Sequence, residues 1–460
     1  MLRSTIALAA LVGLCAASCL PNQAGANPGA RSPGSGDSGI QVGSFRGEIA
    51  VSPDGRFALY RHADRLLALE LSTRLVRTLP GILAPGVLTF WPGGKGVFVV
   101  CQQPTAAPEP IRRLVSVDLA TWAIVWQKPL YEPARGMQLA ADGSRLVLWG
   151  DRLQVLDPTQ GELRGSFEVA GQIVDVDALG GVRLLVVTED PRRRAGSSRS
   201  EDSRPARSAT ALQGPTTVIH VRNLLDASPR CTVRVANCAD ELVVTPGGTR
   251  GLLAPTFCGR DPVTVIDLAS CGVAATLPGF GPVALVNEGK TAVAFVADDV
   301  KEGASGARGE AKSSGSRFGL SFIDTTTLAA ETLALGEGLP RYATTPKGGS
   351  LVIDSAAGMM QIRLLPLATR VPLVVRGPAI ALRNFVITPD ERHLFAVLSG
   401  LYDLDLTQGR IDSLPLTCLP FAINITPDGK TVLLLDEQGR VHLMDPATHE
   451  IVAVIPPPSS

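Results

Sequence analysis

From residue 45 to residue 456, short apolar β-prone runs alternate with polar turns, and four such runs make up each unit of about forty residues. The final unit is the plainest, with runs at Phe421–Thr426, Thr431–Leu435, Arg440–Asp445 and Ile451–Ile455. Two marks set the phase of the repeat. The first is the turn after the opening run. It reads Ser52-Pro-Asp-Gly55 at the start of the chain and Thr426-Pro-Asp-Gly429 at its end. Degraded copies stand at Ala141-Asp-Gly143, Thr245-Pro-Gly-Gly248, Thr345-Pro-Lys-Gly348 and Thr388-Pro-Asp-Glu391. In such a turn Pro presets the first backbone angle, Asp bonds forward to the chain, and Gly takes the positive φ. The second mark is an acidic residue closing the third run: Asp118, Asp157, Asp267, Asp324, Asp405 and Asp445, with Glu70 in the first unit. Pro366 holds that place in the seventh unit, and the fourth, around Asp226, is blurred.

By these marks the units begin near residues 47, 86, 136, 172, 240, 281, 340, 384 and 420. Evenly spaced runs with no helical period predict an all-β chain. A forty-residue unit of four strands is the sequence sign of a β-propeller. One four-stranded sheet cannot cover both of its faces. Sheets stacked radially bury each face on a neighbour, and a closed ring leaves no end exposed. The expectation is a single large propeller of eight or nine blades over residues 45–456.

The units resemble those of the YVTN and WD40-like bacterial propellers, in which Ser-Pro-Asp-Gly-Lys/Arg opens a blade and Asp-Pro-Ala-Thr, here Asp445-Pro-Ala-Thr448, closes its third strand. The Gly-His and Trp-Asp pairs of true WD40 repeats do not occur. The resemblance implies a fold and leaves function open.

Ahead of the repeats, Arg3, the apolar stretch Ile6–Leu14 and the small residues after it read as an export signal over residues 1–18. The stretch is too short to span a bilayer. Ala16-Ala-Ser-Cys19 resembles a bacterial lipobox, which implies lipidation of Cys19; Leu20 after it implies the outer membrane. Residues 19–44 are rich in Gly, Ser and Pro and are expected to form a flexible tether. The chain is therefore expected to be extracytoplasmic, either anchored in the outer membrane, which it would touch only through the lipid, or periplasmic or secreted. Basic and acidic residues number 43 each, so no positive excess marks a nucleic-acid binder.

With the strands of a unit lettered a to d outward, the b–c and d–a connections emerge on one face and the a–b and c–d turns on the other. Three insertions, at 101–112, 189–215 (with Arg192-Arg-Arg194) and 299–316, all fall between b and c. That face is the candidate surface for a protein or envelope partner, because loops on a rigid scaffold carry function. A monomer is expected.

Six cysteines follow the lipobox. In an exported chain disulfides are permissible. Cys238 and Cys258 share the b–c/d–a face and form the favoured pair. Cys231 and Cys271, near c–d turns, are the second candidate pair, handicapped by the separation expected between neighbouring outer strands. No Cys-x-x-Cys, His-Glu-x-x-His or nucleophile elbow occurs. Glu288-Gly-Lys-Thr291 mimics the end of a phosphate-binding loop but aligns with Asp428-Gly-Lys-Thr431, an a–b turn. The recurrent aspartates are expected to cap turns. No catalytic, cofactor-binding or metal-ligating set is expected, and no cofactor.

These readings favour a non-catalytic extracytoplasmic scaffold. The alternatives are a propeller enzyme of the lactonase or quinoprotein kind, or a glycan or peptide sensor. An enzyme would need polar groups converging from many inner strands. The inner runs are mainly aliphatic and offer only Glu48, Asn287, Asn384 and Asn424.

Overall fold

A computed structural model of the chain describes residues 49–458 except 103–111, 141, 169–171, 180–182, 190–216, 236–238, 240, 256–261, 299–316, 338–339, 345–347, 356–360, 371–372, 377–383, 398–399 and 417. The expected signal, tether, Cys19 and Glu48 lie outside the described residues, as do Cys238, Cys258 and the bodies of the three insertions.

Among the described residues 36 strands form four-stranded antiparallel meanders, and no α-helix is present. The inner strands are Ile49–Val51, Leu88–Phe90, Gly136–Leu139, Gln172–Leu179, Glu241–Val244, Phe280–Val286, Pro340–Thr344, Phe385–Ile387 and Pro420–Ile425, each opening one of nine units. Each begins within two residues of the start expected from the repeat. The all-β propeller is therefore the fold. The outer strand of unit 1, Leu75–Leu83, runs past its own blade to pair Leu83 with Gln102 of unit 2.

Strand pleating explains how each blade serves two neighbours. Along the second strand of unit 1, Phe57 and Leu59 pack with Val97 and Val99 of unit 2, whereas Ala58 and Tyr60 pack with Leu433 and Leu435 of unit 9. Alternate side chains point to opposite faces, so one strand feeds two cores. The same division recurs around the molecule, with an apolar cluster at every junction from units 1 and 2 to units 8 and 9. The cluster joining unit 9 to unit 1 closes the ring.

The turns add a second layer of inter-unit contact. In the first a–b turn Ser52 Oγ donates to Asp54 Oδ1 (2.6 Å), the Arg56 and Phe57 amides are bonded to Asp54 and Ser52, and Gly55 sits at φ 70°. The turn at Thr426–Gly429 repeats these bonds, with Gly429 at φ 72°. Unit 8 repeats them with Glu391 forced to φ 63° in the glycine's place. The glycines also face the preceding unit: a Cβ on Gly55 would lie 3.4 Å from Pro427, and one on Gly289 2.2 Å from Pro246.

On the same face, the left-handed residue of the c–d turn reaches back to the blade before it. Trp122 (φ 62°) meets Phe57 edge-on, Cys271 (φ 57°) is bonded to Cys231, Arg370 (φ 54°) lies over Phe322, and His449 (φ 62°) approaches Asp403. The turn geometry is common to these units, while the side chain it presents differs in each.

Candidate functional site

The polar residues of the inner strands are the natural starting point, because a propeller enzyme would draw its chemistry from them. Asn384 Nδ2 donates to the Phe421 carbonyl of the next unit (2.9 Å), and Asn424 Nδ2 donates to the Ile49 carbonyl across the closing junction (2.8 Å). Gln138 Oε1 accepts from the Ala178 amide of unit 4 (3.1 Å). These amides staple neighbouring blades. Asn287 lies in the a–b turn of unit 6, 3.5 Å from Thr291 Oγ1. Asn287, Asn384 and Asn424 are thus kept apart, each in its own local bonding.

The aspartates closing the third strands are occupied likewise. Asp118, Asp267, Asp324, Asp405 and Asp445 each accept two backbone amides of the following turn through Oδ1 at 2.6–3.2 Å. Hydrogen bonds hold the carboxyl groups of Asp267 and Asp324 below the ordinary range, chiefly those from the Ser270 and Thr327 amides. A carboxylate spending its lone pairs on amides caps a turn and does not converge on a shared ligand.

The b–c/d–a face offers more. The three b–c connections expected to carry insertions leave from strands ending at Gln102, Glu189 and Asp298, all at this end of their blades. On the same face, the connection from unit 2 to unit 3 and the b–c turn of unit 3 enclose a cleft of about 120 Å³. Pro129, Leu130, Pro133 and Trp149 supply its apolar wall. Arg152 bridges Glu132 (3.2 Å) and Glu168 (2.7 Å), and Arg135 pairs with Asp151 (2.8 Å). Tyr131, also lining the cleft, is 95% exposed. Small-molecule pockets run to roughly 300–1,000 Å³, so this cleft has about the volume of one large side chain.

Further round that face, Cys418 Sγ lies 3.7 Å from His442 Nδ1, and His442 Nε2 donates to Asp436 Oδ2 (2.9 Å). Arg440 Nε also donates to Asp436 Oδ2 (2.7 Å). The carboxylate fixes the imidazole tautomer that turns a lone pair toward the thiol, the arrangement of a cysteine nucleophile. Burial, seconded by the charge of Asp436, raises the Cys418 thiol above its usual range. An activated thiol needs the opposite shift, so the geometry is that of a nucleophile and the electrostatics are not. Leu419 and Phe421, adjoining the thiol in sequence, are 51% and 37% exposed. Nothing in the sequence marks this cluster, because Asp436 and His442 stand at places that read as an ordinary strand end and an ordinary strand.

Of the cysteine pairs, Cys231 and Cys271 are bonded, with Cα atoms 6.4 Å apart. The distance expected to disfavour them is bridged because the c–d turn of unit 5 leans back onto the outer strand of unit 4. Cys101 is buried and free, and burial raises its thiol.

No protein-family model and no curated protein matches the sequence. Solved structures do. The chain is similar to the dihydro-heme d1 dehydrogenase NirN in complex with DHE at 14% identity and a TM-score of 0.50, over 95% of this chain and 82% of that one. It is similar to BamB from Moraxella catarrhalis at 12% identity and a TM-score of 0.44, over 78% and 96%. It is also similar to the Cps50 (Swd1) β-propeller domain of Myceliophteria thermophila at 12% identity and a TM-score of 0.40, over 88% and 98%. At such identities the likeness concerns the fold: the chain is a β-propeller.

Proposed function

We propose that this propeller is a non-catalytic, monomeric scaffold whose b–c/d–a face receives a protein partner. The observation that carries the reading is Tyr131, almost wholly exposed beside a cleft walled by Pro129, Pro133 and Trp149 and edged by paired charges. An exposed tyrosine over an apolar cleft with a polar rim is the anatomy of an interface anchor. The inner-strand amides support the same reading, since they are engaged in holding the ring together. The N-terminal signals extend it: the scaffold is exported and tethered through Cys19, so that its partner belongs to the cell envelope. No cofactor enters this function.

The test is affinity capture from envelope extracts with the parent protein, Tyr131→Ala, Arg152→Glu and Leu163→Ala. Leu163 is exposed beside the c–d turn of unit 3, on the opposite face. The reading expects one protein to be lost with the first two variants and kept with the third. Equal recovery with all four would remove it.

A further inference from the structure

The face opposite the cleft holds a group of side chains that the scaffold role does not use. His393 opens the second strand of unit 8, Asp403 lies within the third strand of that unit, and His449 comes from the c–d turn of unit 9. His393 Nδ1 is 3.1 Å from both oxygens of Asp403, and His449 Nε2 is 2.9 Å from Oδ2. Phe395 packs against both rings, with centroids 6.0 and 5.9 Å away.

Two features are not explained by hydrogen bonding. His449 Nε2 is buried and has no hydrogen-bond partner although Asp403 Oδ2 is 2.9 Å away, so its in-plane axis does not run to that oxygen. Asp403, whose side chain is 4% exposed, takes one shared bond from His393 Nδ1 on its two oxygens. A buried carboxylate calls for a positive partner. A nitrogen and an oxygen near 3 Å apart that do not hydrogen-bond to one another have close to the spacing of adjacent donors around one cation. With metal–ligand distances of about 2.0–2.2 Å, neighbouring ligand atoms fall roughly 3.0 Å apart at a right angle and roughly 3.4 Å apart at the tetrahedral angle, so these groups stand within a few tenths of an ångström of a coordinated set.

We propose that His393, Asp403 and His449 form a binding site for a divalent transition-metal cation of the zinc type, clasping unit 8 to unit 9. Two imidazoles and one carboxylate suit such a borderline cation better than calcium or magnesium, which take oxygen donors. The side chains of His393 and His449 are 29% and 31% exposed, which leaves a fourth position open to water. Around the ring the same turn position supplies a tryptophan, a disulfide cysteine or an arginine to the preceding blade. At this junction it supplies a ligand. The nearby carboxylates of Asp390 and Asp405 are committed to their own turns through Thr388 and Thr407 and add negative field without competing for the ion.

The experiment is calorimetric titration of the chelator-treated full chain with zinc ion, alongside His449→Gln, His393→Gln and His442→Gln, with thermal melts of each in zinc and in chelator. The expected result is one zinc ion per chain and a higher melting temperature with zinc. Affinity should drop at least tenfold in His449→Gln and His393→Gln and stay unchanged in His442→Gln, which belongs to the other cluster. Circular dichroism of the chelated variants establishes that each is folded, and a variant that is not is replaced by His449→Asn or His393→Asn. No measurable uptake by the parent, or equal affinity in parent and His449→Gln, overturns the site. Loss of affinity confined to His442→Gln does the same by placing the ion at Cys418 and Asp436.

Discussion

The side-chain amide of Asn424 donates to the backbone carbonyl of Ile49 at 2.8 Å, so the inner strand of the last unit is tied to that of the first. This bond reinforces the apolar junction at which the ring closes. Replacing Asn424 by Ala removes the donor and leaves a part-buried carbonyl short of one partner. The expected loss is about 1 kcal/mol in equilibrium stability, read from denaturant unfolding. Asn384→Ala should cost less, because its bond to the Phe421 carbonyl is exposed and water can replace it, and partner capture should survive both.

Gly55 faces Pro427 across the same closure. A side chain there meets one obstacle, a φ of 70°, since the proline ring 3.4 Å from the new Cβ is at ordinary contact distance. Gly55→Val is expected to lower stability by ~2 kcal/mol through backbone strain while binding is retained. Gly289→Ala should cost more than the equivalent change at exposed Gly247, because Pro246 lies 2.2 Å from its Cβ position and nothing lies within 4 Å of Gly247's. Thermal melts of the pair read out the difference.

The Cys231–Cys271 bond closes a 40-residue separation between adjacent blades. Crosslinking a loop of that size stabilises by ~2–4 kcal/mol through the restricted unfolded chain. A reductant should lower the melting temperature of the parent protein by more than it lowers that of Cys231→Ser, in which this bond is already gone.

His220 is pushed down to about 4 by burial first and by Arg222 and Arg234 second, against an unfolded value of 6.5. Its ring edge rests on Phe167, 5.1 Å away between centroids. A histidine held neutral in the fold contributes fully above pH 6.5, and that contribution is lost as pH falls toward 4. His220→Phe should therefore flatten the decline in stability between pH 6.5 and 4. Below that window the depressed capping aspartates take over, since their contribution is lost only as they protonate. A variant whose stability falls as steeply as the parent's between pH 6.5 and 4 would show that His220 is not the group responsible.

The architecture was legible because local chemistry and global fold coincide in these turns. Ser52-Pro-Asp-Gly55 makes the same hydrogen bonds as Thr426-Pro-Asp-Gly429, and both mark where a first strand ends. The c-end aspartates read as caps for the same reason: Asp324 bonds its own turn, two and three residues on. What a turn residue touches in the neighbouring blade leaves no such local trace. His449 and Asp403 are brought together by a junction between units, and only the register of each unit says that they share it. One clue was present. Asp403 stands two residues before Asp405, a place that Val155, Val265, Phe322 and Leu443 fill elsewhere with apolar side chains. A charge in an apolar column marks a buried carboxylate awaiting a partner. The cleft beside Tyr131 was hidden for a similar reason, since its walls come from a connecting segment and a turn of different strands.

The proposed role of the b–c/d–a face as the working surface of the propeller can be read in living cells. It is tested most directly by photo-crosslinking in intact cells, with a photoreactive phenylalanine analogue at position 131 and, in a second protein, at position 163. Both sites are exposed and both belong to unit 3 or its approach, but they lie on opposite faces. A discrete crosslinked protein is expected from position 131 and none from position 163. A discrete product from position 163 alone would contradict it.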